Sequence, residues 1–237
     1  AFLRWIPRLS RNLRVIFPRR TGRRPSEFEA NSLPLPSASE IDGFFINLDT
    51  REDRLDLVIE SLQSVGLTRL QRFPAIPNEL GILGCTKSHI AVLEKAKWAG
   101  HAMTLICEDD LEFLRGQREL EAVVGEFERH PGLDVLCLAY RLRAPSLRIS
   151  RELAVANSIQ TASCYLVKFS AIDLILQSLR ESEAMLERGV SPQVAANDMH
   201  WKHYQTTQLF FAVPRERFGQ QRPSYSDIAQ RFKDYRA

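Results

Sequence analysis

With 237 residues, 44% hydrophobic and 26% charged, the chain has the composition of a globular protein that buries one sizeable core, leaving room for an appendage. No run of roughly 18 uncharged apolar residues occurs, which excludes a membrane-spanning helix from the sequence pattern. Four dispersed cysteines, with no Cys-x-x-Cys pair and no Asn-x-Ser/Thr acceptor, argue against a disulfide scaffold and for reduced thiols in a cytoplasmic setting.

The net charge of +3 conceals an asymmetry. Residues 1–25 hold Arg4, Arg8, Arg11, Arg14, Arg19, Arg20, Arg23 and Arg24 and no acid, so this arm carries +8 and the remainder nets −5. Phe2, Ile6, Leu9, Leu13 and Ile16 recur at helical spacing while the first four arginines mostly fall elsewhere. That is the pattern of a helix lying on an anionic membrane surface. Pro7 interrupts the second turn, and a helix docked on the body or on a partner, or a targeting segment, has the same look. The acidic body offers no extended basic track, so nucleic acid is not an expected partner. Pro25, Pro34, Pro36 and several serines then read as a linker. The organisation predicted is a basic arm and Pro/Ser linker over residues 1–40 and a single domain over 41–237, in a cytoplasmic protein that sits peripherally at the membrane.

From residue 41 strands and helices alternate. Gly43 to Leu48 is a short apolar strand, and Leu55, Ile59, Leu62 and Val65 make one face of a helix that Gly66 closes. A strand near Leu70 to Ala75 leads through Pro74 and Pro77 to a helix over about Thr86 to Trp98, ended by Gly100. A strand from Ala102 to Cys107, a helix over Gln117 to Arg129 and a strand from Asp134 to Tyr140 follow. This order predicts an α/β fold with an open, mostly parallel, Rossmann-like sheet. Ligands of such sheets bind beyond the carboxyl ends of the strands. No Gly-x-Gly-x-x-Gly follows the first strand and no P-loop signature occurs, which disfavours dinucleotide oxidoreductases and P-loop NTPases.

One place in that pattern carries chemistry. The apolar run Thr104-Leu105-Ile106-Cys107 ends in Glu108-Asp109-Asp110, and like charges side by side repel unless a cation lies between them. Oxygen-only ligands at a strand end suit Mg²⁺ or Mn²⁺, which complete their shells with substrate phosphates. In extended geometry Glu108 and Asp110 face one side and Asp109 the other. The plainer alternative is a solvated loop or a helix cap.

Ile46-Asn47-Leu48-Asp49 with Arg51-Glu52-Asp53-Arg54, Gly84-Cys85-Thr86-Lys87-Ser88-His89, Leu105 to Asp110, and Thr161 to Val167 before a helix over Ser170 to Leu179 follow one another in the order of the signatures of glycosyltransferase family 25. That family includes lipooligosaccharide and collagen galactosyltransferases, and the resemblance covers residues 41 to 228. It implies a GT-A-like single domain, a UDP-sugar donor, Mn²⁺ or Mg²⁺ on Glu108 and Asp110, and inversion at the anomeric carbon. The expected activity is transfer of a hexose, galactose or glucose, to a hydroxyl on a glycan, glycolipid or protein, as in lipopolysaccharide biosynthesis. The resemblance sets the donor against Asn47, Leu48, Asp49, Arg51, Arg54, Ser88, His89 and Asp109. Two departures stand out. Ile82 replaces an acid between the glycines, and Asn197 to Trp201 keeps a single carboxylate.

Most of these residues have a bland alternative. Arg51 and Arg54 suit bidentate phosphate pairing or an ordinary solvated first turn beside Glu52 and Asp53. Asn47 fits uracil or ribose, or a turn. His89 sits beside Ile90 and Leu93 as a structural histidine would. Trp201 stacks a sugar or packs the core. For the base that takes the acceptor proton, Asp198 is the first candidate and Asp227 the second. Asp198 also suits a helix N-cap. His200 and His203 with Cys85 lack convincing further ligands for zinc. The stretch Gln220 to Ile228 resembles the family's polar closing segment. A catalytically silent relative that acts through the basic arm is the rival reading.

Overall fold

A computed structural model describes residues 36–228 and 230–234. The arm and most of the linker, and with them the membrane expectation, lie outside these residues. The first described turn, Ala38–Glu40, already belongs to the body: Ala38 is buried and its N–H donates to Glu121 Oε1 at 3.1 Å.

The elements run β1 (Gly43–Asn47), α1 (Glu52–Ser64), β2 (Leu70–Pro74), α2 (Gly81–Ala99), β3 (Met103–Glu108), β4 (Leu111–Phe113), α3 (Gln117–Glu128) and β5 (Val135–Leu142). They continue with β6 (Leu147–Arg148), β7 (Leu153–Ala156), β8 (Ile159–Lys168), α4 (Ile172–Glu187), α5 (Pro192–Ala195) and α6 (Asn197–Thr207). The last are β9 (Phe211–Pro214), β10 (Gly219–Gln221), β11 (Ser224–Ser226) and β12 (Arg231–Lys233).

The main sheet has the order β2-β1-β3-β8-β5-β9-β7-β6, with β10 joining β5 and β4. Taking β1 as reference, β2, β3, β5, β9 and β10 run with it, while β8, β7 and β4 run against it. The sheet is thus largely parallel in direction, with β8 inverted at its centre, and the domain has the expected α/β architecture. Helices cover both faces. Phe44 and Phe45 are neighbours in β1 whose side chains enter opposite core layers, as the two-residue strand period requires. Ile90 and Leu93 of α2, Leu179 of α4 and Trp201 of α6 pack with Phe44, whereas Val58 of α1 and Phe127 of α3 pack with Phe45.

Chain order explains where a cleft must open. From β1 the chain crosses through α1 to β2 on one side, then back through α2 to β3 on the other. Those crossovers lie on opposite faces of the sheet, so the carboxyl ends of β1 and β3 flank a topological switch point.

Several boundaries differ from the sequence pattern. α2 starts at Gly81 rather than near Thr86, and at Gly84 the preceding loop packs against its first turn. A Cβ at Gly84 would lie 2.6 Å from the Ile76 carbonyl oxygen, so only glycine fits. Trp201 is 1% exposed, donates from Nε1 to the Ile159 carbonyl at 3.1 Å and meets Tyr165 and Phe211 edge-on, so it is core and no sugar platform.

Candidate functional site

The acidic triplet does not continue the strand. β3 ends at Glu108, and Asp109-Asp110 form a turn into β4, so strand alternation no longer governs where the side chains point. The three carboxylates fan out to three walls of one cleft of about 320 Å³.

Asp109 turns toward β1 and α1. Its Oδ2 accepts from Asn47 Nδ2 at 2.8 Å and its Oδ1 from Arg54 Nη1 at 2.8 Å. Burial raises its pKa, and the arginine and the amide only partly offset that effect. Asn47, 1% exposed, is used up inside the protein: Nδ2 also reaches the Arg51 carbonyl, and Oδ1 accepts from Arg72 Nε at 2.9 Å. Arg72 in turn pairs with the exposed Asp49 at 2.6 Å.

The two arginines of α1's first turn hold the downstream segment. Arg54 Nη2 donates to Ser224 Oγ at 2.8 Å and to the Tyr225 carbonyl at 2.7 Å. Arg51 Nη1 donates to Asp227 Oδ2 at 2.7 Å, while its Nε and Nη2 form a fork on Asp53. Those contacts raise the Arg51 pKa further, the Asp53 hydrogen bond most of all. The segment after β10 is thereby drawn over the cleft, and Gln221, Ser226, Asp227 and Ile228 line it.

Glu108 turns the other way, to α2. Its Oε1 accepts from Cys85 Sγ at 3.5 Å and lies 3.3 Å from His89 Nε2. Burial opposes its charge, but the His89 and Cys85 hydrogen bonds win and hold the carboxyl below its ordinary value. His89 is 1% exposed, with Nδ1 3.1 Å from the Tyr165 hydroxyl. Ser88 is also buried, and its hydroxyl donates to the Gly84 carbonyl at 2.7 Å and accepts the Ile76 N–H at 2.8 Å. Ser88 therefore ties the cleft's apolar rim to α2.

Asp110 points into the middle. It is 8% exposed; Oδ2 meets Gln221 Nε2 at 3.3 Å, and Oδ1 is buried without a partner. Burial first, and the nearby Glu108 charge second, push its pKa up to about 8. A buried carboxylate oxygen with nothing to accept is costly unless a ligand completes it.

Leu48, Arg54, Ser88, His89, Glu108, Asp109, Asp110 and Asp227 all line the cleft, so the fold brings most of the sequence candidates together. Asp198 lies behind it, in the first turn of α6, where Oδ2 accepts the Thr161 N–H at 3.0 Å. Thr161 sits at φ 73, a left-handed conformation rare for a β-branched residue, at an irregular stretch of the β5–β8 ladder. The Asp198 carboxylate anchors that strained residue. Its pKa is raised by burial, against which the Thr161 hydrogen bond works. His200 meets Ser178 and Glu181, away from Cys85.

Arg72, which no sequence pattern singled out, and Cys85, Tyr165 and Gln221, which the quoted motifs contain without these roles, complete the site. Cys85 sits one helical turn before His89, and Arg72, Tyr165 and Gln221 orient Asn47, His89 and Asp110.

No protein-family model matches the chain, and no curated protein matches it. Among solved structures, a glycosyltransferase involved in glycosylation of the major capsid of PBCV-1 aligns at 10% identity and TM-score 0.44, over 73% of this chain and 81% of that one. A197 from STIV aligns at 12% identity and TM-score 0.41, over 82% and 99%. Mannose-1-phosphate geranyltransferase from Thermus thermophilus aligns at 10% identity and TM-score 0.38, over 76% and 58%, so the chain spans little more than half of that protein.

Proposed function

We propose that the cleft binds a UDP-sugar and that the chain transfers its hexose, with inversion, to a hydroxyl acceptor, as the resemblance to glycosyltransferase family 25 implies. One observation carries the reading: Asp110 presents an unpartnered, buried carboxylate oxygen in the cleft that Glu108 also lines, at the switch point of an α/β sheet. Such a carboxylate is matched to a hard divalent cation. Glu108 and Asp110 would hold Mn²⁺ or Mg²⁺, which when bound supplies the charge that stabilises a departing diphosphate.

The chain's own residues supply the rest. Leu48, Ile76 and Pro77 offer an apolar wall suited to the flat face of a base. Arg51 and Arg54 hold the segment from Ser224 to Asp227 against the donor and exclude water from that side. Asp227 both lines the cleft and is reachable from solvent, with 39% of its side chain exposed, so it is placed to take the acceptor hydroxyl proton as that oxygen attacks the anomeric carbon. Asp198, the other candidate, would act from behind the wall it anchors.

Purified protein given Mn²⁺ and a panel of UDP-sugars tests the reading. The expected result is metal-dependent donor hydrolysis with one sugar preferred; UDP binding with no turnover of any donor would instead support a silent relative. Asp227→Asn is expected to lower transfer by about 10²–10⁴-fold with donor binding kept. If Asp198→Asn alone has that effect, the base moves to Asp198. For the arm, removal of residues 1–25 is expected to abolish salt-sensitive binding to anionic phospholipid vesicles and to spare donor hydrolysis. Equal vesicle binding by both forms rejects the membrane role.

A further inference from the structure

Cys85, His89 and Glu108 present a sulfur, a nitrogen and an oxygen to one point of the cleft wall, all within 4.8 Å of one another. We propose that these three side chains form a site for a borderline transition metal of the Zn²⁺ class, with its open coordination position facing the cleft. The inference concerns a ligand set different from the Glu108 and Asp110 pair and stands whether or not the cleft transfers a sugar.

Geometry supports it first. Zinc binds imidazole nitrogen and carboxylate oxygen at about 2.0–2.2 Å and thiolate at about 2.3 Å, so tetrahedral ligand atoms lie roughly 3.3–3.7 Å apart. His89 Nε2 is 3.3 Å and Cys85 Sγ 3.5 Å from Glu108 Oε1, so both measured edges already have the length of such a tetrahedron. Cys85 and His89 lie four residues apart on α2, which puts both on one helical face, and the end of β3 delivers Glu108 across from them.

The atoms behind the donors are arranged in the same sense. A metal-bound histidine almost always gives its other ring N–H to a fixed acceptor. Here the Tyr165 hydroxyl stands 3.1 Å from Nδ1, leaving Nε2 for a metal, and the ring stacks on Tyr165. Asn197 Nδ2 donates toward Cys85 Sγ at 3.7 Å, a contact suited to a thiolate. Three protein ligands with an accessible fourth position is the ligand count of zinc centres that bind a further molecule.

Chemistry sorts the metals. Thiolate and imidazole favour Zn²⁺ or Co²⁺ over Mg²⁺, and binding replaces the thiol proton, which leaves to solvent as the Cys85 sulfur bonds the ion. Because Glu108 is shared, an ion here draws Glu108 away from the oxygen pair with Asp110.

The test uses full-length protein freed of metal with a chelator and titrated with Co²⁺, whose thiolate complex has a charge-transfer absorption band. One equivalent of Co²⁺ is expected to raise the band, and Zn²⁺ to bleach it by displacement. Cys85→Ser is expected to abolish the band, and His89→Gln to weaken Zn²⁺ binding at least tenfold. Cys137→Ala, a buried thiol outside the cluster, is expected to keep it. Zn²⁺ is also expected to protect Cys85 from alkylation in the unmutated protein, which keeps the proposal testable if a variant fails to fold. No band in the parent, an undiminished band in Cys85→Ser, or alkylation of Cys85 unchanged by Zn²⁺ overturns it.

Discussion

On the wall where β1 meets α1, Asn47, Arg51, Arg54 and Asp109 are matched to one another and to the segment that closes over them. On the wall where α2 meets the end of β3, the groups are left wanting. Asp110 Oδ1 has no partner, and the hydrogen bonds among Cys85, His89 and Glu108 are long ones at 3.3 and 3.5 Å. The first wall is nearly finished by folding, with Arg54 Nε its one buried atom left without a partner, and its charges serve the architecture. The second wall carries an electrostatic debt that a bound cation would cancel. Residue type alone does not separate the two, since both walls are built from charged side chains at strand ends.

The largest effect expected from this contrast lies on the finished wall. Arg54→Met leaves Asp109 buried without its cation, the pair being 12% and 9% exposed, and releases Ser224 and Tyr225. A loss of about 3–5 kcal/mol in denaturant unfolding is expected; a loss under about 1 kcal/mol would show that this wall is no more committed than the other. Asn47→Ala ranks next, at about 1–3 kcal/mol, because it strands the Asp109 and Arg72 groups that the amide satisfies.

Asp110→Asn is expected to act in the opposite sense. In chelator and above about pH 8, where Asp110 ionises, the substitution removes a buried charge and should leave the melting temperature equal or higher, whereas a clear fall would place Asp110 among the finished groups. The pH dependence carries the same sign. With the folded-state carboxyl pushed up to about 8 and an unfolded value near ~4, the folded protein binds the extra proton across that interval. Stability of the metal-free protein should therefore fall as pH rises from about 4 to about 8, and Asp110→Asn should flatten this slope. The smallest effect belongs to Asp49→Ala at the rim, within about 0.5 kcal/mol, since its pair with Arg72 is solvent-screened.

The alternation of β1, α1, β2, α2 and β3 was legible because each element repeats its own apolar period. Their order alone located the switch point. Strand direction was not legible: nothing in Thr161 to Val167 distinguishes a strand running against its neighbours from one running with them, so the inversion of β8 came only from the structure. β7 and β9 are four-residue buried runs, too short to be told from loops with apolar residues. In the site, the acidic triplet announced a cation-binding end. The assumption of extended geometry through Asp110 failed because the backbone turns after Glu108. The partners of Arg51 and Arg54 were beyond reach of any local pattern, since Asp227 and Tyr225 lie 176 and 171 positions away.

Those long separations bear on how the protein comes into being. During synthesis β1, α1 and β3 emerge early, but the strip from Gln221 to Asp227 that latches onto Arg51 and Arg54 is translated only after helices α1 to α6 and strands β1 to β9. A nascent chain can thus assemble most of its core while the mouth of the cleft still stands open, and Arg54 waits for its final partners. Latching of the strip is a late step, one whose interruption would leave a folded body with an unroofed cleft.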